Sequence, residues 1–327
     1  VNKKSLLVGV ILSVMIILGS SQIVAAEPTA VLLTEGLLGA SGSGIGPGGA
    51  LYVTEGAAGR ITRVDPVTGE KTTFASGLPL PVFPIGGVVD VAFIGSNAYA
   101  LVTMVGSDIG GNEIVGIYRV DGPNSFTVVA DLGEFAIQNP SNSDVFIDTG
   151  VHYALEIFRG GFLVTDGHHN RVLWVTLDGE ISEVIETDNT VPTGLAVHGN
   201  TIYMAEAGPI PHLPDDGKVL AFDPDASTIS EVASGARLLV DVEFGRGQKL
   251  YALAQGIWDG AFPGSPAIPD DGSLVEVNKD GTFTSIVDGL DRPTSLEFIG
   301  NTAYIVTLDG EIYMIENVSG PPFGNSN

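Results

Sequence analysis

The sequence predicts an all-β chain, a six-bladed β-propeller of four-stranded antiparallel blades. Three observations predict it. A pattern first seen as ALYVTEGAAGRITRVDPVTG at residues 50–69 returns along the chain. Short strands led by an aromatic residue recur six times, at Tyr52, Tyr99, Phe162, Tyr203, Tyr251 and Tyr304. The 44 glycines and 19 prolines follow no triplet period, so they mark tight turns between short β-branched strands. Four-stranded repeats of this size are the mark of a propeller.

Each repeat reads as an apolar first strand, a Gly/Asn turn, the aromatic-led second strand, a loop, a third strand, a turn and a fourth strand. Blade one supplies these at 44–53, 60–65 and 72–78. Blade two has 89–93, 98–102, 116–121 and 126–132, and blade three has 154–157, 161–166, 171–175 and 181–185. Blade four has 193–197, 202–206, 218–223 and 229–233, and blade five has 240–244, 250–254, 273–277 and 283–287. Blade six supplies only three, 294–298, 303–307 and 311–315. Its fourth strand stands at the other end of the chain. AVLLTEGL at 30–37 matches TSIVDGL at 284–290 and TFASGL at 73–78. The N-terminal strand is therefore expected to complete the last blade and close the ring, which removes an open sheet edge. The propeller is expected over residues 27–318, with a tail at 319–327.

Residues 1–26 read as a targeting segment. Lys3 and Lys4 precede a 13-residue apolar run at 6–18, and Val24 and Ala26 stand at the −3 and −1 positions of a cleavage site. The run is short for a membrane span, so the expectation is a cleaved secretory signal and an extracytoplasmic bacterial protein; an uncleaved N-terminal anchor is the alternative. With no cysteine there is neither a disulfide nor a lipid-anchored cysteine. The net charge is −25, and it becomes −27 without residues 1–26, which hold two lysines and no acid. Such a surface repels nucleic acid and anionic membranes. It suits cations or basic partners, or serves solubility alone.

In an antiparallel blade the 1–2 and 3–4 turns share one face; the 2–3 loops and the connections between blades share the other. The turns at 46–49, 94–97, 178–179, 198–200, 280–281 and 299–301 are tight. The long segments, 105–113, 207–217, 255–272, 79–87 and 133–151, all fall on the second face. Long loops in a compact domain are usually functional, so a small-molecule or protein ligand is expected there, around the channel mouth.

Aligned first strands place Gly42, Asp90, Ala154, Gly194, Asp241 and Ser295 at one level near the axis. Two residues on, Glu156, Glu243 and Glu297 share the same parity. Asp90, Asp241, Glu156, Glu243 and Glu297 are the candidate channel ligands, and a ring of carboxylates would suit Ca2+ or another hard cation. The other reading is that they are solvated or bonded to neighbouring blades. Glu55, Asp166, Glu206 and Gln255 follow the second strands and begin the loops, as candidates for a polar ligand or as turn residues. His168, His169 and His212 lie on loops of that face without a recognised zinc spacing. Trp258 and Phe262 sit in the longest loop, to pack it or to cover a ligand. The PDDG stretches at 214–217 and 269–272 read as turns. No nucleophile elbow, phosphate loop or dinucleotide fingerprint is present.

The stretches GPGGALYVTEGAAGRITRVDPVTGEKTTFASGLP, VVDVAFIGSNAYALV, DGHHNRVLWVTLDGEIS and LDRPTSLEFIGNTAYIV resemble the ScyD/ScyE family. These are exported propeller-like proteins named for association with biosynthesis of the sunscreen scytonemin. The chain departs from that family's Ser-Asn-Pro-Tyr-Gly type segment, where it has DTGVHY at 148–153. A broader likeness is to NHL, gluconolactonase and strictosidine-synthase-like propellers. The lactonases imply a channel metal held by Glu, Asn and Asp; only Asp90, Asp241 and the three glutamates match, and no Asn partner is evident. The expectation is a non-catalytic binding module, with a metal-dependent hydrolase or lactonase, or an accessory protein of secondary metabolism, as alternatives.

Overall fold

The computed structural model describes residues 28–143, 146–226 and 228–320. The expected targeting segment, 1–26, and most of the expected tail lie outside these residues. Six four-stranded antiparallel sheets follow one another around a central axis. Five are built from strands consecutive in sequence. In the sixth, the N-terminal strand Ala30–Thr34 pairs with the last strand, Ile312–Ile315, so that Ala30 faces Ile315 and Leu32 faces Tyr313. The ring closes as the sequence predicts.

The innermost strands of blades one to six are Ala40–Ile45, Gly87–Ile94, His152–Phe158, Pro192–His198, Leu239–Phe244 and Pro293–Ile299. The recurring aromatic of the second strand has a physical reason. It reaches across to the next blade: Tyr52 meets Phe93 at 4.5 Å, Tyr203 meets Phe244 at 5.1 Å and Tyr251 meets Phe298 at 5.0 Å between ring centroids. Tyr99 packs on Phe162 of blade three at 4.8 Å. The core is thus a set of clusters at the seams between blades.

One local element differs from expectation. Leu132 was expected to end a strand, but a short helix, Leu132–Gln138, begins there. Asp131 caps it by accepting from the Glu134 N–H. Two turns of helix are too short to show a hydrophobic period, so only the Asp-x-x-Glu spacing signals it.

Deleting residues 28–34 should leave the edge of the last strand open. At about 1 kcal/mol per ladder hydrogen bond, the expected cost is about 2–4 kcal/mol in denaturant melts, with association visible by size-exclusion chromatography. An unchanged midpoint and a monomeric profile would show that the ring does not need this strand.

Candidate functional site

Every innermost strand shifts register against its neighbour near the same level, for example between Val88 and Asp90 and between Leu239 and Asp241. The same shift occurs in the other four blades. Such bulges re-aim side chains and leave backbone groups unpaired. Side chains then satisfy those groups across the seams. Asp90 accepts from Val91 N at 2.8 Å and, from blade three, Leu155 N at 2.7 Å. Asp241 does the same with Val242 N at 2.9 Å and Leu296 N of blade six at 2.7 Å. Ser295 meets Ser43 at 2.8 Å, and the Thr165 hydroxyl donates to the Thr193 carbonyl at 2.7 Å.

Glycine is required beside each aspartate. A Cβ on Gly42 would lie 2.4 Å from Asp90 Oδ1, and one on Gly194 would lie 2.4 Å from the Asp241 Cα. The order Gly42, Asp90, Ala154, Gly194, Asp241, Ser295 therefore repeats Gly–Asp–small twice around the ring.

The channel contains a cavity of about 410 Å³ lined by Asp90, Glu156, Asp241, Glu243 and Glu297. The structure brings together all five channel acids expected from the sequence. Among the described residues no lysine or arginine belongs to the wall. The glutamates sit two residues further along their strands than the aspartate level, toward the tight-turn face. Glu297 makes no hydrogen bond among the described residues. The side chains are half-buried by area because the channel itself is surface, but protein surrounds them.

Desolvation raises Asp90, Glu156 and Glu297 well above the usual carboxylate range, and the neighbouring acids add to it for all three. Desolvation also pushes Asp241 up to about 7, against the two N–H groups it accepts from. Glu243 is pushed up to about 8 by desolvation and then by Asp241. The upward direction is common to all five.

The loop-face candidates have a different fate. Glu55 is fully buried; its carboxylate takes Arg60 Nε and Nη2 at 2.7 Å each, the Thr62 hydroxyl and Leu38 N. Burial would raise it, but these partners hold it low. Asp166 is equally buried, with His169 Nδ1 at 2.6 Å and Arg171 Nε at 3.3 Å. Burial again opposes, yet His152, His169 and Arg171 bring Asp166 down to about 2. Both acids oppose an arginine across the strand pair, Glu55 to Arg60 and Asp166 to Arg171. Glu206 opposes Lys218 in the same way, but Lys218 bonds Glu231 instead, at 3.0 Å. Burial pushes Glu206 up to about 7, and its Oε1 has no partner among the described residues. Gln255 Oε1 accepts from Ala267 N at 2.9 Å, inside the longest loop.

His168 Nε2 accepts from Phe146 N at 2.9 Å and Ile147 N at 3.1 Å, so that nitrogen is committed to a loop. Trp258 stands edge-on to His212 at 5.4 Å, joining the long loops of blades four and five above the channel. His152 was not foreseen. It is 1% exposed and belongs to the cavity wall; neither ring nitrogen has a hydrogen-bond partner among the described residues, and Nε2 stands 3.9 Å from Asp166 Oδ2. Burial pushes it down to about 4, so it is neutral at pH 7. No signal in the sequence marks it, because the register shift between His152 and Leu155 obscures which way it faces. The all-oxygen wall has the donor chemistry for a hard cation, but among the described residues no three His, Asp or Glu side chains already stand in metal-ligand geometry.

A raised carboxyl contributes stability that is complete below about pH 4 and lost as pH rises through its folded value. For Asp241 and Glu243 that loss sets in above about pH 4 and is complete only past pH 7–8. His152 acts in the opposite sense, and only below about pH 6.5. Melts between pH 6.5 and 8.5 should therefore show falling stability. Glu243→Gln should flatten the fall and stabilise the protein at pH 8 by on the order of 1–2 kcal/mol. A flat wild-type curve, or one the substitution leaves alone, would mean that the channel acids titrate normally.

No family model matches the chain, and no curated protein matches it in sequence. Solved structures do match. An aldose sugar dehydrogenase from Streptomyces coelicolor in its PQQ-bound form is 15% identical, with a TM-score of 0.61 over 89% of this chain and 98% of that one. A gluconolactonase from Xanthomonas campestris is 12% identical, with a TM-score of 0.62 over 88% and 89%. Virginiamycin B lyase from Staphylococcus aureus is 14% identical, with a TM-score of 0.54 over 89% and 99%. At these identities the likeness is one of fold alone: the chain is a six-bladed propeller, the fold it shares with these proteins.

Proposed function

We propose that this is an exported propeller of ScyD/ScyE type that binds, without chemical change, a ligand presenting a cationic group to its channel. One observation carries the reading: five carboxyl groups share a cavity whose wall, among the described residues, has no lysine or arginine. Enclosing acids without counter-charge costs free energy, and they respond by holding protons. A cation in the channel would restore their ionisation and recover that cost. An ammonium or guanidinium group needs only facing acids, whereas a chelated metal needs three or more ligands already converging. Pyrroloquinoline quinone, itself a polycarboxylate, does not fit a wall of acids.

The test is ligand-dependent melting and calorimetry at pH 8 with n-butylamine, arginine amide and Ca2+. A ligand at about a hundred times its Kd should stabilise by about 2.7 kcal/mol. Glu297→Gln with Asp241→Asn should abolish the effect. The absence of any shift at millimolar ligand would refute the reading. A shift with Ca2+ alone would favour the second reading, a metal-dependent hydrolase, which the gluconolactonase likeness supports. Lactone hydrolysis lost in Asp90→Asn would then establish it. Export is checked separately: the mass of protein recovered outside the cytoplasm should correspond to a chain beginning at Glu27, and a mass retaining residues 1–26 would indicate the anchor.

A further inference from the structure

Exposed apolar side chains are not spread evenly over this molecule. On the face carrying the long loops, Leu80, Phe83, Phe146, Leu213, Phe262 and Ile268 are 41–64% exposed. They come from four different loops: 77–86 between blades one and two, 132–151 between blades two and three, 207–216 in blade four and 255–271 in blade five. The tight-turn face shows Val67 and Leu177 at its described turns, with Ile157 and Ile229 at strand ends beside them. Scattered apolar residues are ordinary, but apolar groups gathered on one face, around the mouth of an acidic channel, point to an interaction surface. Ile85 and Tyr153, 37% and 40% exposed, join the rim to the cavity because both also line its wall.

We propose that this face docks a polypeptide that places a lysine or arginine side chain in the channel mouth and apolar side chains on the rim. The inference rests on the cation-binding reading of the channel and names its partner. Charge selects the occupant. The chain carries 39 acids against 14 basic residues, so an anionic bilayer or nucleic acid is repelled while a basic segment is drawn in. Geometry agrees. Tyr153 immediately precedes Ala154, which shares the level of Asp90 and Asp241, and lines the same cavity. An extended lysine entering beside it reaches the aspartates. Each aspartate oxygen accepts a single N–H, and a carboxylate oxygen has a second lone pair to offer. His152, whose ring nitrogens make no hydrogen bond among the described residues, lies in the same wall. A free amine would fill the channel but leave the apolar rim wet; a peptide covers both.

The experiment uses the whole protein and three probes at pH 8. They are a capped peptide with lysine between paired leucines, the same peptide with norleucine for lysine, and n-butylamine. The lysine peptide should bind about tenfold or more tighter than either other probe. Phe83→Ser with Phe262→Ser, both at exposed positions, should weaken the peptide about tenfold and leave butylamine unchanged. If butylamine binds and the peptide is no tighter, or the rim variant binds it as well as wild type, the docking inference falls and the cation channel stands. If neither cation binds, both fall. Equal binding of the norleucine peptide removes the charge argument. Rim-dependent binding to phosphatidylserine vesicles would assign the face to a lipid surface and overturn the proposal.

Discussion

The innermost strand of every blade has one edge with no fifth strand beside it, and its backbone groups must find partners across a seam. That constraint organises the centre of this molecule. Hydroxyls of Thr165, Thr193 and Thr294 donate to carbonyls of the next blade, and the Ser43–Ser295 pair bridges the last seam to the first. Asp90 and Asp241 accept the Leu155 and Leu296 N–H groups. A buried N–H left without an acceptor would cost about 1–3 kcal/mol at each seam. The bulges, the glycines beside the aspartates and the aromatic pegs further out are all arranged around meeting this need.

The same constraint explains why seam and site coincide. A carboxylate is a strong acceptor for two N–H groups, so it serves a seam well. Six seams converging on one axis bring such carboxylates within each other's field. The glutamates two residues on have no seam to close, and Glu297 bonds nothing among the described residues. Their presence adds to the electrostatic cost without adding to ring closure, a local conflict of the kind expected where function is placed.

Much of this was legible in the sequence. The aromatic-led strands gave the blade number, the match of 30–37 to other fourth strands gave ring closure, and first-strand alignment gave the channel level with both aspartates. Loop lengths sorted the two faces. What alignment could not show was the fate of an acid at the end of a second strand. Glu55 and Asp166 look like loop residues, yet each faces an arginine five positions on, across a four-residue turn. Glu206 shares their place, but its loop is longer and its lysine is drawn away by Glu231. Only the folded arrangement separates these cases, because each depends on which partner a flexible side chain selects. His152 escaped notice because a bulge hides its phase relative to Ala154.

The pairing of Ala30–Thr34 with Ile312–Ile315 joins the two ends of the described chain. A chain that emerges N-terminus first, from a ribosome or through a translocation pore, holds its first strand unmatched while nearly three hundred residues follow. Intermediate blades can assemble from neighbours in sequence, but the circle stays open until the final strand arrives. Assembly therefore has a late, non-local last step, the kind that slows folding and leaves an adhesive border in waiting. In the finished ring the first strand is clasped, so fraying from the N-terminal side must begin by undoing a bond to the opposite end of the chain.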